Sequence, residues 1–230
     1  MSYVKRRQEN LLNEQHSVEE IIKTRNIEHL VHFTNAKNIQ SIILNGIVPV
    51  KFHDELGIKS YINDHLRSDE LTEATSLSVE FPNYKMFYKL RIENTDEDWA
   101  IIFVSSKVLL NKLCLFCYDN ASNPEIKSMP HEKRMSKDMF SKMFEDLEEY
   151  PSRKETKLKR YFTTSPQAEI LISGIVEVEY IDKIVFINTK IKEKYHEFIP
   201  HFIKCEVIPE YFYAREDVKY QVRKDEYHET

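Results

Sequence analysis

Glycine is scarce in this 230-residue sequence, where it occurs only at Gly46, Gly57 and Gly174. No two of these residues are close enough to form a G-x-G-x-x-G turn or a Walker phosphate loop, which place their glycines within about six positions of each other. The sequence therefore excludes the classical Rossmann and P-loop nucleotide sites. Any nucleotide that this chain binds must be held by other groups.

Cysteine is also rare, with three residues in the whole chain. A small, odd number of cysteines does not make a disulfide scaffold and agrees with a reducing compartment. Residues 1–13 are polar and basic, so they do not predict a secretory signal. No run approaches the ~20 apolar residues of a membrane span. We therefore expect a cytoplasmic protein with no membrane partner.

A metal site is not expected either. Cys114 and Cys117 lie in an alternating apolar segment that predicts a strand, and their spacing points the two thiols to opposite faces of it. The histidines show no H-E-x-x-H spacing. We expect both cysteines to belong to the core. The net charge of −5 excludes a globally basic surface for nucleic acid, although a local basic patch is compatible with it.

The apolar residues, 41% of the chain, are sufficient for a substantial core. We predict one domain over residues 28–210, an N-terminal extension over 1–27 and a C-terminal tail over 211–230. Alternating patterns predict strands at 30–34, 75–79, 99–105, 113–118, 169–173, 175–180, 183–187 and 202–208. Helices are predicted after Ser17, after Asn35 as far as Gly46, over Ser136–Tyr150 and near 190–198, with a loop or lid at 51–74. Without regular βαβ alternation, this order indicates an α+β fold.

Two short polar patterns lie on predicted strands. His32 and Thr34 are two residues apart and share one strand face, just before a helix capped by Asn35. They fit either a capped strand–helix junction or a polar surface that holds a nucleotide. Gln167 and Glu169 are likewise two apart at the start of an apolar strand. They fit either a charged strand edge or a pair in which the carboxylate binds a ribose hydroxyl while its neighbour positions an acceptor.

A basic segment precedes the second pattern. Residues 153–160 carry five positive charges against one negative, and two aromatic residues follow. This composition fits single-stranded nucleic acid, with charges for phosphates and rings for bases, or alternatively a solvated loop. The residues predicted to bind such a substrate are Arg153, Lys154, Lys157, Lys159, Arg160, Tyr161 and Gln167.

Four motifs occur in an order that resembles the DarT family of DNA ADP-ribosyltransferase toxins. They are His32-Phe33-Thr34 with Asn38 and a helix ending at Asn45-Gly46, a loop around Arg67, the run Phe-Pro-Asn-Tyr-Lys-Met-Phe at 81–87, and Pro-Gln-Ala-Glu at 166–169 followed by Ile-Leu-Ile. The resemblance extends over about residues 28–190, and the tract between about 119 and 160 matches no motif of the family.

The resemblance implies an ADP-ribosyltransferase fold, with two packed sheets around a cleft that binds NAD without a glycine-rich loop. It implies Glu169 and Arg67 as catalytic residues. Because guanidinium stays protonated in proteins, Arg67 fits the positioning of a phosphate or of DNA at least as well as proton acceptance. The residues implied to contact NAD are His32, Phe33, Thr34, Ser78 and Tyr84.

The implied acceptor is a base in single-stranded DNA, and the implied partner is a macrodomain antitoxin that reverses the modification. Two alternatives stay open at this point. One is an enzyme of the same fold that modifies RNA or protein, and the other is a nucleic-acid-binding module without activity. The presence of both Glu169 and Arg67 favours an enzyme.

Overall fold

The computed structural model describes residues 17–61 and 71–217. Within these ranges, strands β1 to β7 form one sheet in the order β4-β5-β2-β1-β3-β6-β7. Their bounds, from β1 to β7, are His29–Asn35, Ala74–Val79, Trp99–Ser105, Cys114–Cys117, Glu169–Ser173, Ile181–Phe186 and Lys204–Val207. Neighbouring strands are antiparallel except β6 and β7, which are parallel.

The helices are short and surround the sheet. Residues 17–25 are helical and are called α1 here. Helices α2 to α9 are Ile39–Asn45, Tyr84–Glu93, Val108–Asn111, Pro124–Lys127, His131–Arg134, Lys137–Lys142, Arg153–Thr156 and Thr189–Tyr195. Single 3-10 turns cover Ala36–Asn38, Val50–Phe52, Val178–Tyr180, His196–Phe198 and Pro209–Phe212. The α+β prediction is confirmed, and no described helix is long and apolar enough to span a membrane.

The sheet is weakly joined at its centre. β1 and β2 pair only through Leu30 with Val79 and Val31 with Ser78. By contrast, β1 pairs with β3 over its whole length. The prediction of two packed sheets is not confirmed, because this short pairing joins all the strands into one sheet. Beyond Val31 the two halves of the sheet diverge, and a cleft opens between them.

Hydrophobic cores lie on both faces of the sheet. In β3, Ala100, Ile102 and Val104 belong to the larger core, whereas the alternate residues face a smaller one. The smaller core consists of Val31, Phe87, Trp99, Ile101, Phe103, Val185 and Phe212. A strand covered on both faces needs apolar residues at consecutive positions, which explains the continuous apolar run of β3. α3 and the 3-10 turn at Pro209–Phe212 cover the smaller core.

Two predicted elements are shorter than expected. The predicted helix Ser136–Tyr150 contains α7, which ends at Lys142, where the amides of Phe144 and Glu145 bond to carbonyl oxygens three residues back instead of four. Beyond this end, Thr164 bonds to the carbonyl oxygens of Met143 and Glu145, so the helix does not resume. The predicted strand 175–180 is only an isolated bridge between Val176 and Ile47, followed by a 3-10 turn. The predicted bounds of β3 and β5 match the structure.

The predicted extension and tail both contact the domain. Val18 and Ile27 are buried in the larger core, and Phe212 is buried in the smaller one. Arg215 and Asp217 form a buried ion pair, with Nε and Oδ1 2.8 Å apart. The domain bounds at 27/28 and 210/211 themselves stay predictions.

Gly46 ends α2 in a conformation that L side chains rarely adopt, with φ of 79° and ψ of −175°. A Cβ atom at this position would lie 2.4 Å from the carbonyl oxygen of Val176. Gly46→Ala therefore combines a backbone penalty with a clash against backbone, and we expect a loss of roughly 3 kcal/mol or more in the free energy of unfolding. Urea denaturation measures this loss.

Gly174→Ala is the matched control. Gly174 has a similar φ of 77°, but apart from its chain neighbours no atom lies within 4 Å of the place that a Cβ would occupy. We expect it to lose only about 1 kcal/mol, from the left-handed conformation alone. Equal losses in the two variants would contradict the close approach at Gly46.

Candidate active site

A cleft of about 360 Å³ opens where β1 and β2 diverge. It is lined by β1, α2, β2, the chain around residues 46–61, and the loop after β4. The predicted site residues that line it are His32, Phe33, Thr34, Ser78 and Glu169. Three separate sequence motifs therefore meet at one place.

Glu169 is the first residue of β5 and is buried, with 9% of its surface exposed. Its Oε2 accepts a hydrogen bond of 2.9 Å from the Ser76 hydroxyl, and its Oε1 accepts one of 2.9 Å from the Asn120 amide. Ser76 comes from β2, and Asn120 comes from the loop after β4, so the two neighbours of β5 in the sheet fix one oxygen each. The carboxylate is oriented without a charged partner in either of these bonds.

His32 on β1 faces the same wall of the cleft. Its Nδ1 lies 3.2 Å from the backbone oxygen of Ser76. A carbonyl oxygen only accepts, so Nδ1 carries the proton in this contact. Phe33 on the other strand face stacks on Phe87, with ring centroids 4.7 Å apart. β1 thus contributes a polar contact on one side and a packing contact on the other.

Asn38 connects the cleft wall to the 50–61 segment, which follows α2. Its Nδ2 donates to Thr34 Oγ1 at 2.9 Å and to the Tyr61 carbonyl at 2.9 Å. Its Oδ1 accepts from the Tyr61 backbone amide at 2.8 Å. Asn38 therefore saturates both backbone groups of Tyr61 and fixes the end of the 50–61 segment against α2.

The same segment is braced by His53. Its Nε2 lies 2.9 Å from the carbonyl oxygen of Val48 and therefore carries a proton. Its Nδ1 lies 2.9 Å from the Ser60 hydroxyl oxygen. The contacts of His53 with Val48 and Ser60 therefore hold the outer wall of the cleft.

Ser78 and Tyr84 have different surroundings. Ser78 Oγ accepts from the backbone amide of Asn83 at 3.1 Å, and Asn83 Oδ1 caps α3 through the amide of Met86. Among the described residues, Asn83 Nδ2 is buried without a hydrogen-bond partner. Tyr84 packs edge-on against Phe81 and does not belong to the described cleft lining. Burial raises the pKa of the Tyr84 hydroxyl to about 12, so this group stays protonated.

Gln167 lies in a turn before β5, so the prediction that it shares a strand face with Glu169 is wrong. Its backbone amide donates to Ser165 Oγ at 3.1 Å, and its side chain is hydrogen-bonded to Tyr150. Ser165 Oγ in turn donates to Asp119 Oδ1. These bonds fix the turn that leads into β5, the strand that begins with Glu169.

The Arg153 guanidinium, which the sequence predicts to bind the substrate, is hydrogen-bonded to the protein itself. It donates to the carbonyl oxygen of Phe162 at 2.8 Å, to Thr164 Oγ1 at 3.0 Å and to the carbonyl oxygen of Lys159 at 3.0 Å. Burial, with nearby arginines, lowers the pKa of Arg153 to about 10. Arg153 therefore organises the loop that leads to β5.

Two further arginines bond to the same loop. Arg25 of α1 donates to the carbonyl oxygen of Arg160 at 3.1 Å. Arg215 donates to the carbonyl oxygen of Thr163 at 2.9 Å. Together with Arg153 of α8, they bind carbonyl groups along residues 159–163. The loop is thus held from the N-terminal helix, from α8 and from the chain after β7.

The rest of the basic segment is open to solvent. Its exposed members are Lys154, Lys157, Lys159 and Arg160. Lys159 and the half-buried Tyr161 line a second cleft of about 680 Å³, together with Phe81, Phe162 and Tyr211. Cations and aromatic rings therefore lie side by side here, as the sequence indicated.

Arg67 lies outside the described residues. Cys114 and Cys117 are buried, and Cys117 Sγ accepts a hydrogen bond of 3.0 Å from Arg134. In the part of the chain that the structure describes, no group of three or more His, Cys, Asp or Glu residues could hold a metal ion.

Sequence reasoning missed three residues of the cleft. Ser76 and Ser78 are two residues apart on one strand and therefore share a face, so the prediction of Ser78 as a site residue could have been extended to Ser76. Asn38 was part of the first motif but received no role. Asn120 lies in the tract that matches no family motif, and only its place in a polar run after a predicted strand could have indicated it.

The sequence profile described as "DarT: ssDNA thymidine ADP-ribosyltransferase" matches residues 31–213, well over half of the chain. No curated protein matches.

Solved structures of similar fold come from two sources. A Thermosipho africanus DarTG in complex with ADP-ribose is 22% identical over 80% of this chain, with a TM-score of 0.56, and the match covers 51% of that protein. A Thermus sp. 2.9 DarT in complex with NAD+ is 11% identical over 81% of this chain and 98% of its own, with a TM-score of 0.51. The same protein with ADP-ribosylated ssDNA is 11% identical over 82% of this chain and 97% of its own, with a TM-score of 0.55. At these identities the comparison establishes the fold, and this chain spans about half the length of the first protein.

Substitution of Arg153 tests its structural role. Arg153→Gln removes the hydrogen bonds that a charged donor makes to the carbonyl oxygens of Phe162 and Lys159 and to Thr164 Oγ1. We expect the free energy of unfolding to fall by about 2 kcal/mol or more. Thermal and urea denaturation measure this. The neighbouring Lys154→Gln changes an exposed cation of the same helix, and we expect a change within ~0.5 kcal/mol. Equal effects of the two substitutions would contradict the structural role.

Proposed function

Since this chain belongs to the DarT family of ssDNA thymidine ADP-ribosyltransferases, we propose that it transfers ADP-ribose from NAD to a thymine base in single-stranded DNA. The observation that carries the proposal is the Glu169 carboxylate, held in the central cleft by Ser76 and Asn120. His32 and Thr34 line the same cleft. A buried, oriented carboxylate beside polar residues suits a reaction in which positive charge develops on a sugar.

NAD is the co-substrate in this proposal, and the residues present suit it. The cleft combines apolar walls with hydrogen-bonding groups, as cofactor sites commonly do. Asn83 Nδ2 adds a buried donor that has no partner among the described residues. The two diverging strands and the segment braced by Asn38 form the cleft without a glycine-rich loop.

The reaction breaks the bond between C1 of the ribose and the nicotinamide nitrogen. The electron pair stays on nitrogen, so nicotinamide leaves as a neutral molecule and positive charge develops at C1. The Glu169 carboxylate stabilises this charge, as carboxylates do in glycoside hydrolysis. The thymine ring nitrogen that bears hydrogen then bonds to C1, and its proton is released to a base or to solvent. One bond to C1 is broken and one is formed.

The acceptor strand is assigned to the side of the basic segment. Lys154, Lys157, Lys159 and Arg160 are exposed, and Tyr161 is partly exposed beside them. These cations and this ring suit phosphates and bases of a single strand. Arg67 is proposed as the second functional residue, with the positioning of a phosphate or of the DNA as its role, since guanidinium does not give up its proton.

We also propose that the protein is a bacterial toxin that acts in the cytoplasm and is paired with a macrodomain antitoxin. Base modification in single-stranded DNA interferes with copying, which gives the activity its toxicity. Co-expression of this chain with and without a macrodomain hydrolase tests the pairing through colony survival. Equal survival in both strains would contradict it.

Glu169→Gln tests the catalytic assignment. The substitution keeps the shape of the side chain and removes the charge that faces the developing cation. We expect the transfer rate to fall at least ~100-fold, with NAD affinity largely kept. Mass spectrometry of a thymine-containing single strand measures transfer, and calorimetric titration measures NAD binding. A variant that transfers at nearly the wild-type rate would show that the carboxylate is not catalytic.

A second prediction concerns the DNA surface. Each phosphate neutralised by a single-strand contact adds about 0.7 to the slope of log affinity against log salt concentration. Replacing Lys157 and Lys159 with Gln should therefore flatten this slope by up to about 1.4 units. NAD hydrolysis without DNA should not change. Fluorescence anisotropy at several salt concentrations gives the slope.

Tyr161→Ala provides the contrasting variant. Stacking releases no counterions, so this substitution should weaken binding and leave the slope nearly unchanged. A slope that does not respond to the two lysines would place the DNA on another surface. Absence of DNA binding at any salt concentration would favour an RNA or protein acceptor.

A further inference from the structure

Asn120 lies in the loop after β4 and reaches the carboxylate at the start of β5. Its Nδ2 is 2.9 Å from Glu169 Oε1. β4 is the edge neighbour of β5, and Cys117 is the register partner of Glu169. The loop that leaves β4 therefore begins beside the carboxylate, and Asn120 lines the central cleft with it.

The orientation of the Asn120 amide is fixed by its other contacts. Its Oδ1 accepts from the backbone amide of Ser122 at 2.9 Å and also from the Ser122 hydroxyl. A backbone amide only donates, so the atom that faces it must be the oxygen. The NH₂ group is thereby directed at Glu169, since the flipped amide would set oxygen against carboxylate and nitrogen against N–H.

The same loop is held in place by a second bond. Asp119 accepts a hydrogen bond from Ser165, in the turn before β5. Asp119 and Asn120 are consecutive, so one short stretch of chain contacts both the turn and the carboxylate. The position of Asn120 relative to β5 is therefore determined at two points.

A neutral donor has a specific advantage at this site. Hydrogen bonds from neutral groups stabilise the anionic carboxylate and restrict its rotation, and they leave its full negative charge available. A lysine or arginine in the same place would orient the carboxylate equally well but would oppose the positive charge that develops on the ribose. Asn120 and Ser76 both meet this requirement.

We propose that Asn120 is a positioning residue for catalysis, which holds the Glu169 carboxylate aimed at the ribose through its amide N–H. This inference rests on the proposed function of Glu169. It assigns a role to the part of the chain that matches no family motif. Asn120 acts through Glu169, so its loss should slow the chemical step more than it weakens NAD binding.

Asn120→Asp separates this role from a structural one. Aspartate has the same shape, and its oxygen still accepts from Ser122, so the turn is kept. It cannot donate to Glu169, and it adds a second carboxylate beside the first. A residue needed only for the turn would tolerate aspartate better than alanine. A residue needed as a neutral donor would tolerate aspartate no better than alanine.

The experiment measures kcat and KM for NAD with a saturating thymine-containing single strand, for wild type, Asn120→Ala and Asn120→Asp. Loss of a hydrogen bond to a charged group predicts a fall in kcat of roughly 10- to 100-fold for alanine. We expect at least as large a fall for aspartate, with KM for NAD within about threefold of wild type. Melting temperatures of the variants show that the turn is intact.

Asn111→Ala is the matched control. Asn111 is an exposed amide at the opposite end of β4, where it donates to the Tyr180 hydroxyl at 3.1 Å. We expect its kcat and KM to equal those of wild type. Near-wild-type kcat for Asn120→Asp would overturn the inference, as would a rise in KM with unchanged kcat in both Asn120 variants.

The double variant distinguishes this inference from the proposed function. If Asn120 acts through Glu169, then Asn120→Ala should cause little further loss in a Glu169→Gln background. Full additivity of the two losses would overturn the inference while leaving the catalytic role of Glu169 in place. An active Glu169→Gln single variant would instead overturn the proposed function itself.

Discussion

The short pairing between β1 and β2 is the constraint on which the site depends. Only two residue pairs join these strands, at Leu30–Val79 and Val31–Ser78. If β1 and β2 had paired over their whole length, the strand edges that line the cleft would be covered. Their backbone N–H and C=O groups would then form hydrogen bonds between the two strands. The interruption opens the sheet at its centre, where both flanking cores still support the strands. The cleft therefore opens between strands that packed cores support on both faces of the sheet.

Electrostatics divides the site into two parts. At the carboxylate, the two described hydrogen bonds come from neutral donors, so neither bond brings a positive charge to Glu169. In the loop before β5, three arginines bind carbonyl oxygens and are occupied by the fold. The exposed lysines of the same region are the cations that a ligand can reach. A chain with a net charge of −5 can thus present a basic surface locally.

The sequence was most informative where one local pattern decides the outcome. The bounds of β3 and β5 follow from apolar runs bounded by polar residues, and His32 and Glu169, taken from separate motifs, line one cleft. It was least informative where a distant group decides. The predicted helix does not continue from α7 to Tyr150, because Thr164 bonds to two carbonyl oxygens of the chain that follows α7.

The role of Arg153 has the same origin. A cluster of positive charges in a sequence does not reveal which cation bonds to backbone carbonyl groups, because those partners are chosen by the folded loop. The role of Asn120 could not be predicted for a related reason, since its contact with Glu169 depends on the pairing of β4 with β5. Whether the strands form one sheet or two depends on the two residue pairs between β1 and β2. The hydrophobic periodicity of the sequence predicts strands but does not show which residues of two strands pair.

The identity of the modified base tests the proposed function most directly. The protein is incubated with NAD and four single-stranded oligonucleotides, of which one contains a single thymine and three replace it with another base, together with the duplex of the first. We expect one added ADP-ribose on the thymine-containing single strand and none on the other four substrates. Modification that does not depend on thymine, or no modification of any of the five substrates, would contradict the proposed function.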